Sequence, residues 1–477
     1  MKHGETPTLW RWLVVAAVLS FVPSLFFPYV GEEGVYTIST LEMWHGHFWS
    51  NPLLYGGAYG RPPFLNWVIL PIAMVLGPEH VLVASRLVAA GATVLTAAAL
   101  LGFARGIGAT TRHAALAVLV FLSSDALLYH GWLAYSDPLF ALLTFGAMGC
   151  VLLAARCEKA APLALAAALV TAAFLTKALT AYVFVAATWL VVFVRHRESR
   201  ATLLKPFALL CYAVAIAAPL VWFHFNGGGG RGIAGRDGGA MTADIINKLL
   251  PADPRAWLKQ IVAFPVETFC RFLPVTAVVA YGAIRDRAAA REGACRWDGT
   301  ITCAALLNFL PYWLAPQSSI RYILPLYPFI AYYLAGRLAR MSAPSVRIAV
   351  CFIAGVIALK YVAMVGFPFY QTKYRGNAAA VAKDVAAIAG QDPIYTDDPS
   401  SVGLSIAGNV DALRWPSAPL TWLPRDPRDG WILTREPGKP GTAIAMTERL
   451  GRETFYLLCS GRACTAAGQA TNRFGLH

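Results

Sequence analysis

The sequence is poor in charge and especially poor in acidic residues. Only 14% of its 477 residues are charged, and 26 acidic side chains stand against 40 basic ones. So little charge, combined with 57% hydrophobic residues, is not the composition of a soluble domain. The basic residues are gathered in short loops between apolar runs. The net charge of +14 therefore does not form the continuous basic face that binds nucleic acid.

Motifs of several common classes are also absent. The glycine run at 227–230 has no strand before it and no Lys-Ser or Lys-Thr pair, which excludes a P-loop. We predict a flexible outer loop over Asn226–Ala263, with a lid or anion site as the less favoured interpretation. The nine cysteines show no metal-ligand spacing, although Cys459 and Cys464 could form a disulfide in the polar tail. No repeat of fixed period is present.

Long apolar runs cover most of the chain up to residue 366. Because a transmembrane helix needs about 20 apolar residues, these runs predict about eleven spans. The runs are Leu9–Val30, His80–Ala104, His113–Leu133, Pro138–Ala155, Ala161–Val194 as a pair, Leu203–Phe225, Phe264–Ile284, Ile301–Ala315, Ile320–Leu338 and Val346–Gly366. Pro62–Leu76 is shorter and begins with two prolines, so we predict an interfacial helix there.

The basic clusters orient these spans. With the N-terminus inside, the clusters at 105–112, 156–159, 195–205, 285–296 and 337–347 all fall on the inner side. The outer side then receives several charged residues that are far apart in sequence. They are Glu32, Glu33, Asp137, Lys177 and Arg321. We expect them to share one cavity on the outer face of the membrane.

The composition becomes polar and turn-rich near the end of the last apolar run. Asn377–Ile388 has the pattern of a helix with Asn377 as its cap. Short strands are predicted at Ile394–Thr396, Trp431–Thr434 and Thr454–Cys459. The sequence thus predicts a transmembrane catalytic domain over 1–368, with its first outer loop at 30–67, and a small outer α/β domain over 369–477.

The first outer loop carries a concentrated set of polar residues. Glu32 and Glu33 follow the first apolar run directly, at a depth where an ionisable pair is costly to keep desolvated. This position favours a working role, and a solvated loop start is the plainer alternative.

The order of the motifs resembles that of the GT-C superfamily of lipid-linked sugar transferases, in the branch of protein O-mannosyltransferases and aminoarabinose transferases. The first outer loop matches the family's acidic pair, its tyrosine, its Glu-Met and its basic-Pro-Pro-aromatic pattern. The matching residues are Glu32, Glu33, Tyr36, Glu42, Met43, Arg61, Pro62, Pro63 and Trp67. Later segments resemble further family motifs, with Asp137 in AYSDPLF, Lys177 in FLTKAL, and Arg321 and Tyr322 in QSSIRYILPLYP.

The chain departs from the family pattern at four positions. Glu32 stands where the family has its catalytic Asp, and Arg61 stands in place of a lysine. Gly60 and Ala178 replace an acidic residue and a glycine. The longer reach of Glu32 leaves an altered acceptor, or lost activity, open.

The resemblance implies a polytopic α-helical membrane protein of the GT-C type that transfers a sugar from a polyprenyl-phosphate carrier by inverting displacement. Glu32 would be the base and Asp137 its assistant, while Arg61, Lys177 and Arg321 would bind the phosphate. Glu33, Tyr36 and Tyr322 are also assigned to the substrate site. The acceptor would be lipid A, another envelope glycan or a protein hydroxyl, at the periplasmic face of a bacterial-type inner membrane. No cofactor is assigned, and a divalent metal stays open.

Plainer interpretations remain for the individual residues. Asp137 precedes Pro138 and could cap a helix, and Lys177 could snorkel from the end of a span. Arg61 and Arg321 could bind lipid head groups alone. At the level of function, the rivals are a transporter or flippase of lipid-linked sugars and a non-catalytic lipid-binding scaffold. The absence of two related halves disfavours the transporter.

Overall fold

The computed structural model describes residues 6–124, 127, 130–177, 179–226, 253–285, 296–316, 318–425 and 429–465. The glycine-rich part of the predicted loop Asn226–Ala263 lies outside these residues. From Pro254 onward that segment is helix and not loop.

The chain is mainly helical up to Arg375. The helices are α1 (Thr6–Leu19), α2 (Glu33–Gly46), α3 (Phe64–Leu76), α4 (Val81–Ile107), α5 (Thr111–Leu122), α6 (Ser136–Cys157), α7 (Ala161–Thr176), α8 (Thr180–Arg195), α9 (Arg200–Leu203), α10 (Pro206–Asn226), α11 (Pro254–Cys270), α12 (Val275–Arg285), α13 (Asp298–Leu314), α14 (Tyr327–Ala339) and α15 (Ala343–Arg375). A short hairpin, β1 (Leu53–Leu54) and β2 (Gly57–Ala58), follows α2, and 3-10 turns span Pro23–Phe26 and Ile320–Leu326.

Five helical segments in the described part of the chain are long and apolar enough to cross a membrane, or six if the bent pair α11–α12 is one span. The chain is therefore a multi-pass membrane protein. The count of about eleven spans is not confirmed, because several predicted runs are short or broken. The run from His113 ends its helix at Leu122, and the run Ile320–Leu338 is a 3-10 turn followed by the short helix α14. Pro325 and Pro328 account for that break, since proline removes a backbone donor.

The C-terminal segment forms a five-stranded sheet with two helices, α16 (Ala378–Ala389) and α17 (Ser401–Leu413). The strands are β3 (Ile394–Thr396), β4 (Thr421–Trp422), β5 (Gly430–Thr434), β6 (Thr442–Leu450) and β7 (Glu453–Ser460), in the spatial order β4-β3-β5-β7-β6. β3 is parallel to β4 and β5, and β7 is antiparallel to β5 and β6. We call this segment, residues 376–465, the C-terminal unit.

The predicted elements of this segment are present. The Asn377 side chain caps α16 by accepting the backbone N–H of Ala380 at 3.2 Å. The three predicted strands lie within a residue of their observed bounds. Cys459 and Cys464 form the disulfide that the sequence left open, with their Cα atoms 4.9 Å apart. Helix α15 continues to Arg375, so the boundary predicted at 368 falls inside a helix.

The C-terminal unit is docked on the first outer loop. α17 packs along α2, where a Cβ at Gly34 would collide with the backbone of Leu404. The backbone N–H of Trp422 donates to the carbonyl of Tyr55 at 2.8 Å, and the two rings meet edge to face. Through these contacts the C-terminal unit covers part of the segment 30–67.

Candidate functional site

Two helix N-termini meet at the centre of the residues that the sequence analysis assigns to the outer side. α2 begins directly after the turn formed by Gly31 and Glu32, and α6 begins at Ser136. The backbone N–H of Glu32 donates to the Tyr135 hydroxyl at 2.9 Å. The Tyr36 and Ser136 hydroxyls lie 3.2 Å apart. The contacts bring together two acidic segments that are about a hundred residues apart in sequence.

The Glu32 side chain is exposed at this junction. Glu32 occupies the N-cap position of α2, but its carboxylate makes no capping hydrogen bond. The sequence places Glu32 and Glu33 together at a depth where a desolvated pair is costly, and the structure buries only Glu33. One turn further along α2, the Tyr36 hydroxyl accepts a hydrogen bond from Arg61 at 3.1 Å. The Glu32 carboxylate is thus open to a substrate at the end of the helix that contacts this cation.

Glu33 is fully buried and has a structural role. One of its carboxylate oxygens accepts the N–H of Val30 and the other that of Ala134, both at 2.8 Å. Both oxygens also accept from the guanidinium of Arg86, which is itself fully buried. Arg86 uses its remaining donors on the backbone carbonyls of residues 24–28. The hydrogen bonds of this buried pair hold the turn at Gly31 and Glu32 in place. Because both carboxylate oxygens are already used, Glu33 does not fit the substrate contact predicted for it.

The cations predicted to bind phosphate belong to one connected cluster. Arg61 donates to the Tyr36 hydroxyl at 3.1 Å, and its guanidinium lies 5.2 Å from the ring centre of Tyr59. On the other side, Lys177 and Arg321 approach the ring of Tyr322, at 5.1 and 5.4 Å. The Tyr36 hydroxyl contacts Ser136, and the next residue, Asp137, pairs with Lys177. These contacts connect the two sides. We call this set the cationic cluster: Tyr36, Arg61, Asp137, Lys177, Arg321 and Tyr322.

Asp137 forms an ion pair with Lys177 at the start of α6. Only 4% of the Asp137 side chain is exposed, against 18% of Lys177. The helix cap is Tyr135, so Asp137 lies inside the first turn and the capping interpretation is wrong. Snorkelling also does not describe Lys177, because its ammonium group turns to a buried carboxylate. With Glu32, three cations face two carboxylates, which leaves one excess positive charge for an anionic ligand.

Glu42, the acidic residue of the Glu-Met motif, lies away from the cationic cluster. Its carboxylate accepts the N–H of Gly56 at 3.2 Å beneath the C-terminal unit. Burial raises the pKa of Glu42 to about 8, helped by the nearby charge of Asp411. Burial also raises the pKa of Asp411 to about 7. Both acids are buried, Glu42 on α2 and Asp411 on α17, the helix that packs along α2.

A metal centre is not evident in the described ranges, where no three His, Cys, Asp or Glu side chains could hold one ion together. The ligands that the site can offer a substrate are the open carboxylate, the three cations and the tyrosine hydroxyls. This set suits an anion and a hydroxyl-bearing partner.

Sequence reasoning missed Arg86, Tyr135 and Tyr59. Arg86 had a usable signal, because it is a lone charge within the apolar run His80–Ala104 and such residues have partners. Tyr135 and Tyr59 carried no comparable signal, since tyrosines at a membrane boundary are commonly part of an aromatic belt.

Comparisons with known proteins were made for sequence and for structure. No protein-family model matches the chain, and no curated protein sequence does. Among solved structures, ArnT from Cupriavidus metallidurans bound to undecaprenyl phosphate aligns with a TM-score of 0.67 at 15% identity, over 95% of this chain and 98% of that one. The apo state of the same protein gives 0.64 at 16% identity, over the same shares of the two chains.

A more distant match is the Archaeoglobus fulgidus oligosaccharyltransferase tethered with an acceptor peptide. Its TM-score is 0.51 at 13% identity, over 87% of this chain and 64% of that one. At these identities the likeness concerns the fold. The chain has the fold of the GT-C superfamily of glycosyltransferases.

Proposed function

We propose that this protein transfers a sugar from a polyprenyl-phosphate carrier to an acceptor hydroxyl, at the outer face of a bacterial-type inner membrane. The observation that carries the proposal is the exposed Glu32 carboxylate at the start of α2, the helix whose Tyr36 hydroxyl contacts Arg61 of the cationic cluster and Ser136 at the start of α6. A carboxylate base and a phosphate-binding group on one site are the two parts that this reaction requires.

The reaction follows from these positions. The acceptor oxygen attacks the anomeric carbon of the sugar, and its proton passes to the carboxylate of Glu32. The bond between that carbon and the phosphate oxygen breaks, and its electron pair stays on the phosphate. Arg61, Lys177 and Arg321 stabilise the negative charge that develops there. Attack opposite to the leaving group inverts the anomeric centre.

The solved neighbours support the donor class. ArnT from Cupriavidus metallidurans, which shares the fold, was crystallised with undecaprenyl phosphate bound. In our chain the cationic cluster supplies the charge for the same kind of ligand. The transferred group is a hexosyl or pentosyl unit, and the acceptor is an envelope lipid, a glycan or a protein hydroxyl.

The proposal is tested with Glu32→Gln in proteoliposomes, with Glu79→Gln as a control because Glu79 is an exposed glutamate outside the cluster. Sugar transfer from a panel of polyprenyl-phosphate donors is measured beside donor binding. We expect Glu32→Gln to lose at least about 100-fold in transfer, the typical contribution of a general base, with donor binding kept. The control should transfer normally.

Other outcomes would favour the rival functions. Equal transfer by wild type and Glu32→Gln would overturn the role of Glu32. Donor binding by wild type without transfer would indicate a scaffold. Movement of labelled donor between leaflets, without transfer, would indicate a flippase.

A further inference from the structure

The helix α3 is apolar except for one buried carboxamide. Its sequence, FLNWVILPIAMVL, contains no charged residue, and Asn66 lies in its first turn. Only 4% of Asn66 is exposed. A carboxamide that is removed from water costs free energy unless its hydrogen bonds are satisfied, so a leucine would be the simpler core residue here. The hydrogen bonds of Asn66 therefore point to a role beyond packing.

Asn66 donates hydrogen bonds to two hydroxyls of α2. Its Nδ2 atom donates to Ser39 Oγ at 2.9 Å and to Thr40 Oγ1 at 3.0 Å. These two hydroxyls in turn donate to one backbone carbonyl, that of Tyr36, at 3.2 and 2.7 Å. Ser39 and Thr40 are also fully buried. The amide on α3 is thus connected to the backbone of Tyr36 through buried side chains.

The hydroxyl of the same tyrosine holds Arg61. The Arg61 guanidinium donates to the Tyr36 hydroxyl at 3.1 Å, and Arg61 precedes α3 in the chain. The segment from Arg61 to Asn66 therefore contacts Tyr36 at two points, at the hydroxyl directly and at the carbonyl through the hydroxyls of α2. Two separate contacts fix the orientation of this segment on α2, whereas one contact would leave it free to turn.

The chain between these two contacts is stiff. Pro62 and Pro63 follow Arg61 directly, and both are buried. Because the proline ring fixes φ, this link has little freedom to absorb a movement of the helix that follows it. A shift of α3 against α2 should therefore be passed on to Arg61.

We propose that Asn66 is a positioning residue for Arg61, because its hydrogen bonds to α2 hold α3 where the guanidinium meets Tyr36 and faces the phosphate of the donor. Asn66 does not touch the donor itself, since it is buried between two helices. Its effect on phosphate binding rests on the proposed function, whereas its effect on the position of Arg61 does not. A leucine at position 66 would fill the space without the hydrogen bonds and release Arg61 from Tyr36.

The position of Arg61 is tested without any donor. The full chain in detergent is treated with phenylglyoxal, which modifies accessible guanidinium groups, and the modification of Arg61 is followed by mass spectrometry. We expect Arg61 to react about fivefold faster in Asn66→Leu than in wild type, within the range of coupling between residues of one hydrogen-bond network. Thr40→Val keeps the shape of its side chain but removes the hydroxyl, so it should also accelerate the reaction.

Asn308→Leu is the matched control. Asn308 is likewise a buried asparagine that donates to a threonine hydroxyl, that of Thr188 at 3.1 Å, but it lies on α13 and outside the cationic cluster. This variant should lose stability, as Asn66→Leu does, and leave the reactivity of Arg61 unchanged. Equal acceleration in both variants would reflect a general loosening of the fold and would overturn the proposal.

Donor binding tests whether the position of Arg61 matters for the phosphate. Binding of polyprenyl phosphate is compared for wild type, Asn66→Leu, Arg61→Met and the double variant. Arg61→Met should bind about tenfold more weakly, in line with the loss of one charge-assisted hydrogen bond. Asn66→Leu should bind about fivefold more weakly, and the double variant no more weakly than Arg61→Met, because Asn66 acts through Arg61. Additive losses would contradict the proposal. Thr40→Val takes the place of Asn66→Leu in this comparison if the latter does not fold.

The two measurements separate this proposal from the proposed function. If Arg61 reacts faster in Asn66→Leu but even wild type does not bind polyprenyl phosphate, Asn66 positions Arg61 and the proposed function fails. If Arg61→Met weakens binding while Asn66→Leu changes neither binding nor reactivity, the proposed function stands and the role of Asn66 is overturned.

Discussion

The hydroxyl of Tyr135 holds the backbone of Glu32 in place, through a hydrogen bond of 2.9 Å from the Glu32 N–H. Gly31 precedes this bond with a φ of +59°, and a Cβ at Gly31 would collide with the same hydroxyl. Only glycine at position 31 therefore allows both the left-handed turn and the close approach of the Tyr135 hydroxyl. Tyr135 is a positioning residue that fixes the carboxylate of Glu32 relative to α6.

Tyr135→Phe tests this role, because it keeps the ring and removes the acceptor. We expect kcat to fall about tenfold while the KM for the donor changes little, since small displacements of a reacting group are costly. Tyr333→Phe, at an exposed tyrosine on α14, should leave both values unchanged. A fall in donor affinity with normal kcat would assign Tyr135 to donor binding instead.

Glu33→Gln and Glu32→Gln should separate stability from activity at adjacent positions. Breaking the buried pair of Glu33 and Arg86 leaves an uncompensated guanidinium, which costs about 3–5 kcal/mol of unfolding free energy. The exposed Glu32 loses no partner, so its variant should unfold like wild type. Thermal unfolding in detergent measures both, and a Glu33→Gln protein of normal stability would contradict the structural role.

Lys177→Met should weaken donor binding about tenfold, in line with the loss of one charge-assisted hydrogen bond. It should also destabilise the fold, because the Asp137 carboxylate stays buried without its partner. Adding Asp137→Asn to Lys177→Met should restore stability but not donor binding. If the double variant regains donor affinity, Lys177 acts only as the partner of Asp137.

The buried acids at the interface predict a pH dependence of stability. The pKa of Asp411 is raised from 3.8 to about 7, and that of Glu42 from 4.5 to about 8, both mainly by burial. The folded state thus holds protons that the unfolded chain releases, so stability should fall as pH rises from about 4 through about 8. The loss is on the order of 4 kcal/mol for Asp411.

The variant Asp411→Asn tests whether Asp411 causes the pH dependence of stability. The asparagine oxygen can still accept the N–H of Leu420, as Asp411 does at 2.8 Å, but it carries no charge. Unfolding midpoints measured from pH 5 to pH 8.5 should be flatter for this variant than for wild type. Parallel curves for the two proteins would place the pH dependence elsewhere.

Much of the site could be predicted because membrane topology sorts charges by side. The basic loops assigned Glu32, Asp137, Lys177 and Arg321 to one face, and proximity followed from the small area of that face. The spans themselves were less predictable. Runs such as Ile320–Leu338 are apolar throughout, but hydropathy does not register that proline ends the helical hydrogen bonding inside them.

The sequence does not reveal which of Glu32 and Glu33 is buried and which is exposed. Adjacent residues at a helix start point about 100° apart, so one side chain can enter the core while its neighbour faces the cavity. Which of the two is buried depends on Arg86, a residue of another helix whose position only the packed structure supplies. A substrate role was predicted for Glu33 because it is adjacent to Glu32 in the sequence. Its own contacts were not known at that point.

The close packing of α17 against Gly34 has a consequence for the order of events during biosynthesis. The Glu32 turn follows the first helix of the chain, whereas α17, which covers α2, is translated after all the other numbered helices. Every residue of the cationic cluster is made before Ser401. A chain that ends between them has the whole cationic cluster but an uncovered α2. The packing of α2 is therefore completed only after α17 has been made.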